Sequence, residues 1–194
     1  MKKVIIITGT PCVGKTSTAK KLARKLDALY VNLTELAAKK GFILRKDAKR
    51  NTLVIDEKRL KREIGKVVQK TEKNAIVVDG HYATNVVPTR LTTHVFVLRR
   101  DPVELKKLME KAGFSDNKMW ENLAAEILDV CLIDAINVYG REKICEVDVT
   151  GRTVEENVNE LLHFLEGERK WRVGVVDWLG KLESEGVLNS YLKI

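Results

Sequence analysis

The chain has 194 residues, 44% of them hydrophobic and 32% charged, with a formal charge of +8. This is the size of one ordinary domain with a real core and the composition of a soluble globular protein, and no apolar run approaches the ~20 residues of a membrane helix. Cys12, Cys131 and Cys145 are odd in number and widely spaced, without a CxxC or a paired His, which excludes a zinc site and a disulfide framework and fits a reducing cytoplasm.

The first ten residues, MKKVIIITGT, share a charged start and an apolar stretch with secretory leaders. The stretch is too short and runs into a glycine-rich motif, so a buried strand over 3–8 is expected instead. KVIIIT is a continuous β-branched run, the pattern of a strand buried on both faces of a parallel sheet. Similar runs occupy 28–31, 75–79 and 94–98, with a weaker one at 144–149. Helical periodicity fills the gaps, over 16–26 and, behind an Asn32 cap with Glu35 three residues on, over 33–40. A charged amphipathic helix is expected over 56–72. Asp101, Pro102 and Glu104 supply a cap, an N1 proline and an N3 acid for another. One long helix is expected over 116–139, with Cys131 as plain core, and Thr153 and Glu156 form a capping box ahead of Val158, Leu161, Leu162 and Leu165. Strands alternating with helices imply right-handed βαβ units and an α/β fold with helices on both faces of a parallel sheet. Residues 168–194 follow as a C-terminal extension in which Trp171, Val175, Val176, Trp178, Leu179 and Leu182 suit a terminal helix, packed on the body or on a partner.

Gly9-Thr10-Pro11-Cys12-Val13-Gly14-Lys15-Thr16 matches GxxxxGK[ST] between a strand and a helix. Gly9 and Gly14 permit the tight turn that aims successive backbone N–H groups at a phosphate. The helix beginning near Lys15 adds its positive dipole end. Lys15 is expected on the β- and γ-phosphates of a nucleotide, and the Thr16 hydroxyl on magnesium. Asp79 ends a buried strand, where magnesium or its waters need a negative partner. His81, two residues on, is a candidate to orient a water or a phosphate oxygen. The charge of +8 and the lysine-rich segments 39–50 and 58–73 suit anionic substrates or RNA as much as they suit mere solubility.

With GTPCVGKTSTAKKLA, IVVDGHYATNVVPTR, HVFVLRRDP and KAGFSDNKMWENLAAEIL, the chain resembles the small atypical adenylate kinases, the coilin-interacting nuclear ATPase type and their archaeal counterparts, over residues 2–166. The resemblance implies a P-loop NTPase fold with a five-stranded parallel sheet in the order 2-3-1-4-5. It implies a kinase-like domain over 1–167, with an NMP-binding segment at 32–55 and a short lid at 111–121. It implies reversible phosphoryl transfer between ATP and AMP or related NMPs with Mg2+, ATP hydrolysis, and a part in small ribosomal subunit maturation beside a ribosomal protein and rRNA. The nucleotide-binding set is then Thr10, Cys12, Val13, Gly14, Lys15, Thr16, Ser17 and Arg152. Lys15, Asp79 and His81 are the catalytic candidates, and Thr16 and Asp79 the magnesium candidates. The chain departs from the family at Cys12, at Ala112-Gly113-Phe114 where the lid has an arginine, and at Ala38 where the NMP segment often has another. Lys111, Lys118, Arg99, Arg100 or Arg141 are the cations available in their place. Two other readings stand beside the kinase: an assembly ATPase that binds a ribosomal protein or rRNA, and a kinase for another acceptor such as shikimate or a nucleoside.

Overall fold

A computed structural model describes residues 2–47 and 52–193. Val4, Ile5, Ile6 and Ile7 make the central strand, β1 (Lys3–Thr8), and all four are buried because helices cover both faces of it. The chain continues through α1 (Lys15–Lys25), β2 (Leu29–Asn32), α2 (Leu33–Lys39), the strands β3 (Ile43–Asp47) and β4 (Thr52–Ile55), and α3 (Glu57–Lys70). It returns as β5 (Ala75–Asp79), with a short α4 (Ala83–Val86), then β6 (His94–Arg99), α5 (Pro102–Lys111), α6 (Asp116–Ile127) and α7 (Val130–Tyr139). β7 (Ile144–Asp148) and α8 (Val154–Leu165) follow, and α9 (Trp178–Ser184) and α10 (Leu188–Tyr191) lie in the extension.

The main sheet is parallel and five-stranded in the order β2-β5-β1-β6-β7. Setting aside the separate β3-β4 hairpin, this is the expected 2-3-1-4-5. Successive side chains point to opposite faces, so the strands feed two cores. Val4, Ile6, Ile76, Val78, Val95 and Val97 pack with α2, α3, α4 and α7, whereas Ile5, Ile7, Val77, Phe96 and Leu98 pack with α1, α5, α6 and α8. The register sets Ile7 of β1 and Asn32 of β2 on either side of Asp79. Three strands therefore end together at the edge where β1 passes into α1, next to the point at which the strand order reverses. In open α/β sheets that crevice is where ligands bind.

Three sequence expectations change. The helix expected over 116–139 is two helices, broken where Asp129 adopts a φ of 57°. The buried Arg99 guanidinium takes the Glu126 carbonyl at 2.8 Å and the Asp129 carboxylate at 2.5 Å, capturing groups that a continuous helix would leave in line. The segment between α2 and α3 carries an antiparallel hairpin, β3 against β4, that the lysine-rich sequence did not suggest; its residues 48–51 lie outside the described residues. Cys131 is only half-buried, and its sulfur lies 4.0 Å from the Thr10 hydroxyl, so it borders the glycine-rich loop rather than lying deep in the core.

The extension lies against the body. Trp171 stacks on Phe96 of the second core, with centroids 5.3 Å apart, and the Glu146 amide of β7 donates to the Arg172 carbonyl at 2.9 Å. Beyond it, Trp178 and Leu182 are buried.

Candidate active site

The loop between β1 and α1 is shaped by residues that tolerate unusual backbone. Gly9 has φ 134°, and a Cβ there would sit 2.4 Å from the Leu98 carbonyl oxygen, so only glycine lets the loop leave the sheet this close to β6. Gly14, the residue before α1, has φ 98°. Cys12, between them, has φ 69°, a left-handed conformation that costs a side-chain-bearing residue about 1–2 kcal/mol. The α1 N-terminus has no side-chain cap and no acid in its first turn, whereas α2, α3, α5, α8 and α9 are capped by Asn32, Asp56, Asp101, Thr153 and Asp177. Its first amides and positive dipole end are thus left for an anion.

Lys15 leans back over the loop, with its ammonium donating to the Thr10 carbonyl at 2.8 Å. Burial pushes its pKa down, while Cys131, Asp79, Cys12 and Glu126 act to raise it. A bound polyphosphate would relieve that desolvation by supplying the missing counter-charge. Burial also raises the Cys12 and Cys131 thiols, so neither is an activated nucleophile.

Asp79 is buried at the tip of β5, and one of its oxygens, Oδ2, accepts from three donors: the Thr16 hydroxyl at 2.7 Å, the Asn32 amide at 2.9 Å and the Tyr30 hydroxyl at 3.0 Å. Asn32 serves twice, since its Oδ1 also accepts from the Glu35 amide to cap α2 at 3.0 Å. The cap legible in the sequence is thus also a clamp on the carboxylate. Hydroxyl and carboxylate oxygens meeting at a phosphate loop form the hard donor set that Mg2+ prefers, so Thr16 and Asp79 fit the expected ion.

His81 follows Gly80 beyond the strand end and meets Tyr82 edge-on, with centroids 4.7 Å apart. The residue as a whole is exposed, yet the protein around it holds its pKa down to about 4, by burial first, helped by Lys15 and Lys118 and opposed by Asp79. The imidazole is neutral at physiological pH and faces the same charges that border the loop. Thr16 and Ser17 are exposed at the mouth of the loop, and Val13 is buried beneath it.

The cations proposed for the lid separate clearly. The turn between α5 and α6 carries Lys111 at the exposed end of α5. Lys118, in the first turn of α6, lies 5.3 Å over the Phe114 ring and close enough to the loop to act on Cys12 and His81. Arg99 is fully engaged within the body, and Arg141 donates to the Val173 carbonyl, so neither reaches the loop mouth. Arg100 touches the loop from below, at 3.4 Å from the Val13 carbonyl, and is also paired with Glu104. Arg152 is exposed and faces Glu160 at 3.9 Å; its side chain is not gathered with the loop residues.

Two groups of residues were not read from the sequence as part of this site, Asn32 having been read only as a helix cap. Tyr30 and Asn32 reach Asp79 only because β2 pairs with β5, which no local pattern announces. Glu126 is a buried carboxylate that accepts the Thr10 hydroxyl at 2.5 Å and the Arg100 amide at 3.1 Å. A lone acid among apolar helical positions was its only trace.

A family model described as "AAA domain" matches residues 5–129. The chain is 41% identical to the "Putative adenylate kinase" of Pyrococcus furiosus over 176 residues, covering 90% of this chain and 91% of that protein. It is 37% identical to the protein of the same name from Methanocaldococcus jannaschii, over 91% and 93% of the two chains. Among solved structures, shikimate kinase from Bacteroides thetaiotaomicron superposes with a TM-score of 0.56 at 16% identity, over 84% of this chain and 98% of that one, a likeness of fold alone. By sequence along nearly its whole length, and by the phosphate-loop architecture of its sheet, the chain belongs to the archaeal adenylate kinase family.

Proposed function

We propose that the chain transfers the γ-phosphoryl group of ATP to AMP or a related nucleoside monophosphate. The observation that carries this reading is the convergence, at one sheet edge, of the uncapped α1 N-terminus, the Lys15 ammonium and the Thr16–Asp79 oxygen pair. In this reading Thr10, Cys12, Val13, Gly14, Lys15, Thr16 and Ser17 surround the phosphates. Lys15 exchanges the Thr10 carbonyl for the β- and γ-phosphate oxygens. Thr16 and Asp79 would hold Mg2+, which would neutralise charge on the phosphates. An acceptor phosphate oxygen bonds to the γ-phosphorus as the bond to the β,γ-bridging oxygen breaks, and catalysis is mostly positioning and charge neutralisation. Neutral His81 orients a phosphate oxygen, or a water when no acceptor is bound, which gives hydrolysis. Lys118, with Lys111, supplies lid charge, and Arg152 joins the site only by leaving Glu160. The proposal keeps 1–167 as the kinase-like domain, with 32–55 as acceptor segment and 111–121 as lid, and 168–194 as an extension packed upon it.

A second reading, an assembly ATPase acting on a ribosomal protein or rRNA, draws support from one feature. A groove of about 770 Å³ between α3 and residues 88–90 is walled by Lys61, Arg62, Lys66 and Arg90. It meets a second hollow that adds Lys2 and Lys143. Both lie at the edge where the strands begin, opposite the phosphate loop; their floors are largely apolar, Lys2 and Lys143 already donate to backbone carbonyls, and the cations at the rim are what a phosphodiester backbone would meet. Arg45 and Lys46 of the lysine-rich stretch 39–50 are exposed on the hairpin, outside these hollows, while its residues 48–50 lie outside the described residues. A cytoplasmic compartment is part of the proposal and agrees with three free cysteines; among the described residues no helix is long and apolar enough to cross a membrane.

A phosphotransfer assay over a panel of NMPs, and over shikimate and nucleosides, run beside ATP hydrolysis without acceptor, tests the proposal. Transfer to AMP well above hydrolysis is expected. Hydrolysis alone, stimulated by ribosomal RNA with an affinity that falls linearly on a log–log salt plot, would replace the kinase with the assembly ATPase. Transfer to a non-nucleotide acceptor would reassign the substrate.

A further inference from the structure

The extension reaches the phosphate loop through a single carboxylate. Glu126 of α6 is 1% exposed, and its two oxygens are divided between separate parts of the molecule. Oε1 accepts from Arg99 Nε at 2.8 Å, from the Arg100 amide at 3.1 Å and from Trp178 Nε1 of α9 at 3.2 Å. Oε2 accepts only the Thr10 hydroxyl among the described residues, at 2.5 Å. Thr10 is itself fully buried, and its carbonyl receives the Lys15 ammonium at 2.8 Å. A continuous path therefore runs from the indole of Trp178 through Glu126 and Thr10 to the lysine of the loop.

The neighbourhood fixes the path in place. Arg99 lies between Glu126 and Glu146, bonding Glu146 at 2.6 Å, and Glu146 is fully buried. The amides of Gly174 and Val175 satisfy the other oxygen of Glu146 at 2.6 and 2.8 Å. Farther along, Lys181 bonds Asp101, the cap of α5, at 2.6 Å. Three N–H donors of the extension thus finish the solvation of two buried carboxylates. A buried carboxylate short of a donor is costly, so these bonds hold both the extension and the carboxylate planes.

We infer that Glu126 is a positioning residue for the phosphate loop and that Trp178 of the extension holds it in the orientation that fixes Thr10 and, through it, the loop backbone that meets the phosphates. The extension is in this sense part of the ATP half of the site. With three donors on Oε1, only Oε2 is left for Thr10, and the carboxylate cannot turn without breaking a bond to β6 or to α9. Losing the indole N–H removes one of the three bonds that resist that rotation, leaving only those from Arg99 and the Arg100 amide, and so loosens the loop backbone, while the acceptor side, built on β2 and the hairpin, shares none of these bonds. The inference rests on the phosphate-loop reading given above.

The test measures Mg-ATP and AMP dissociation constants and the thermal midpoint for wild type, Trp178→Phe, Thr10→Val, Thr10→Ser and the Trp178→Phe/Thr10→Val double variant. Phe keeps the ring without the donor, Val keeps the shape of Thr without the hydroxyl, and Ser keeps the hydroxyl. Charge-assisted bonds of this kind support about a tenfold effect. Expected are ATP binding weakened about tenfold in Trp178→Phe and in Thr10→Val, near wild-type ATP binding in Thr10→Ser, and AMP binding unchanged throughout. The two losses should not multiply, because both break one path: the double variant should lie within about twofold of the weaker single variant. Unchanged ATP affinity in Trp178→Phe, equal loss of ATP and AMP affinity alongside a lower thermal midpoint, or losses that multiply would each overturn the inference. A wild-type protein that does not bind Mg-ATP, or a Lys15→Ala variant that binds it as well as wild type, would instead overturn the phosphate-loop reading.

Discussion

Asp79 shows how far a single residue can be read from a chain. Its place at the end of AIVVD, after a glycine-rich loop, was enough to nominate it, and the structure sets it 2.7 Å from the Thr16 hydroxyl. Its other partners, Tyr30 and Asn32, depend on strand pairing, which one-dimensional patterns do not carry. Glu126 was illegible for a related reason: an acid among apolar helical positions reveals its burial only once Arg99, Thr10 and Trp178 have been brought to it. His81 was nominated from its spacing alone, and its surroundings give it a testable signature. With a pKa near 4 against an ordinary 6.5, the folded chain binds fewer protons here than the unfolded chain between those values. The stability His81 contributes is therefore present above pH 6.5 and is lost as the pH falls toward 4. An NMR titration should show its imidazole still neutral at pH 5, and a midpoint near 6.5 would remove the crowding and cationic influence assigned to it. His81→Ala should lower hydrolysis more than phosphotransfer; equal loss of both, or no loss in either, would leave a structural histidine.

At the scale of elements, the caps were the most legible feature. Asn32, Asp101 and the Thr153–Glu156 box all stand where side-chain spacing put them, because a cap is a local hydrogen bond between near neighbours. The failures were tertiary. The break between α6 and α7 is imposed by Arg99 from another strand, and the β3-β4 hairpin hides in a sequence where lysines mask a strand alternation. The turn between α5 and α6, proposed as the lid, has no arginine where the resemblance implies one, and Ala112 is exposed with φ −82°, so a larger side chain fits without strain. Ala112→Arg should raise AMP-dependent transfer about tenfold, less than the ~10³ a well-placed guanidinium can supply, because Lys118 already brings charge to the loop. Steady-state rates at saturating ATP would show it, and an unchanged rate would mean that the lid cation is already complete.

Over the whole molecule, the parallel sheet with helices on both faces was legible from buried β-branched runs separated by capped helices, whereas its strand order was implied only by the family resemblance. The role of the last 27 residues, 168–194, was not, because their apolar side chains suited the body and a partner equally. In the fold they close two cores and donate to Glu126 and Glu146. Ending the chain after Gly167 should therefore cost about 3 kcal/mol or more, since a buried group left without its partner costs about 1–3 kcal/mol and several are affected together. Urea unfolding of the shortened and full-length chains would measure it; equal midpoints and slopes would show that the extension only rests on the surface. The central claim, that the loop of residues 9–16 moves a phosphoryl group from ATP to a nucleotide, is tested most directly by ADP formation from ATP and AMP with Mg2+, comparing wild type with Lys15→Ala. The account predicts AMP-dependent turnover in wild type and its loss by at least about a hundredfold in a variant whose thermal midpoint is unchanged, because the ammonium that follows the migrating charge is gone. Near wild-type turnover in Lys15→Ala would contradict it.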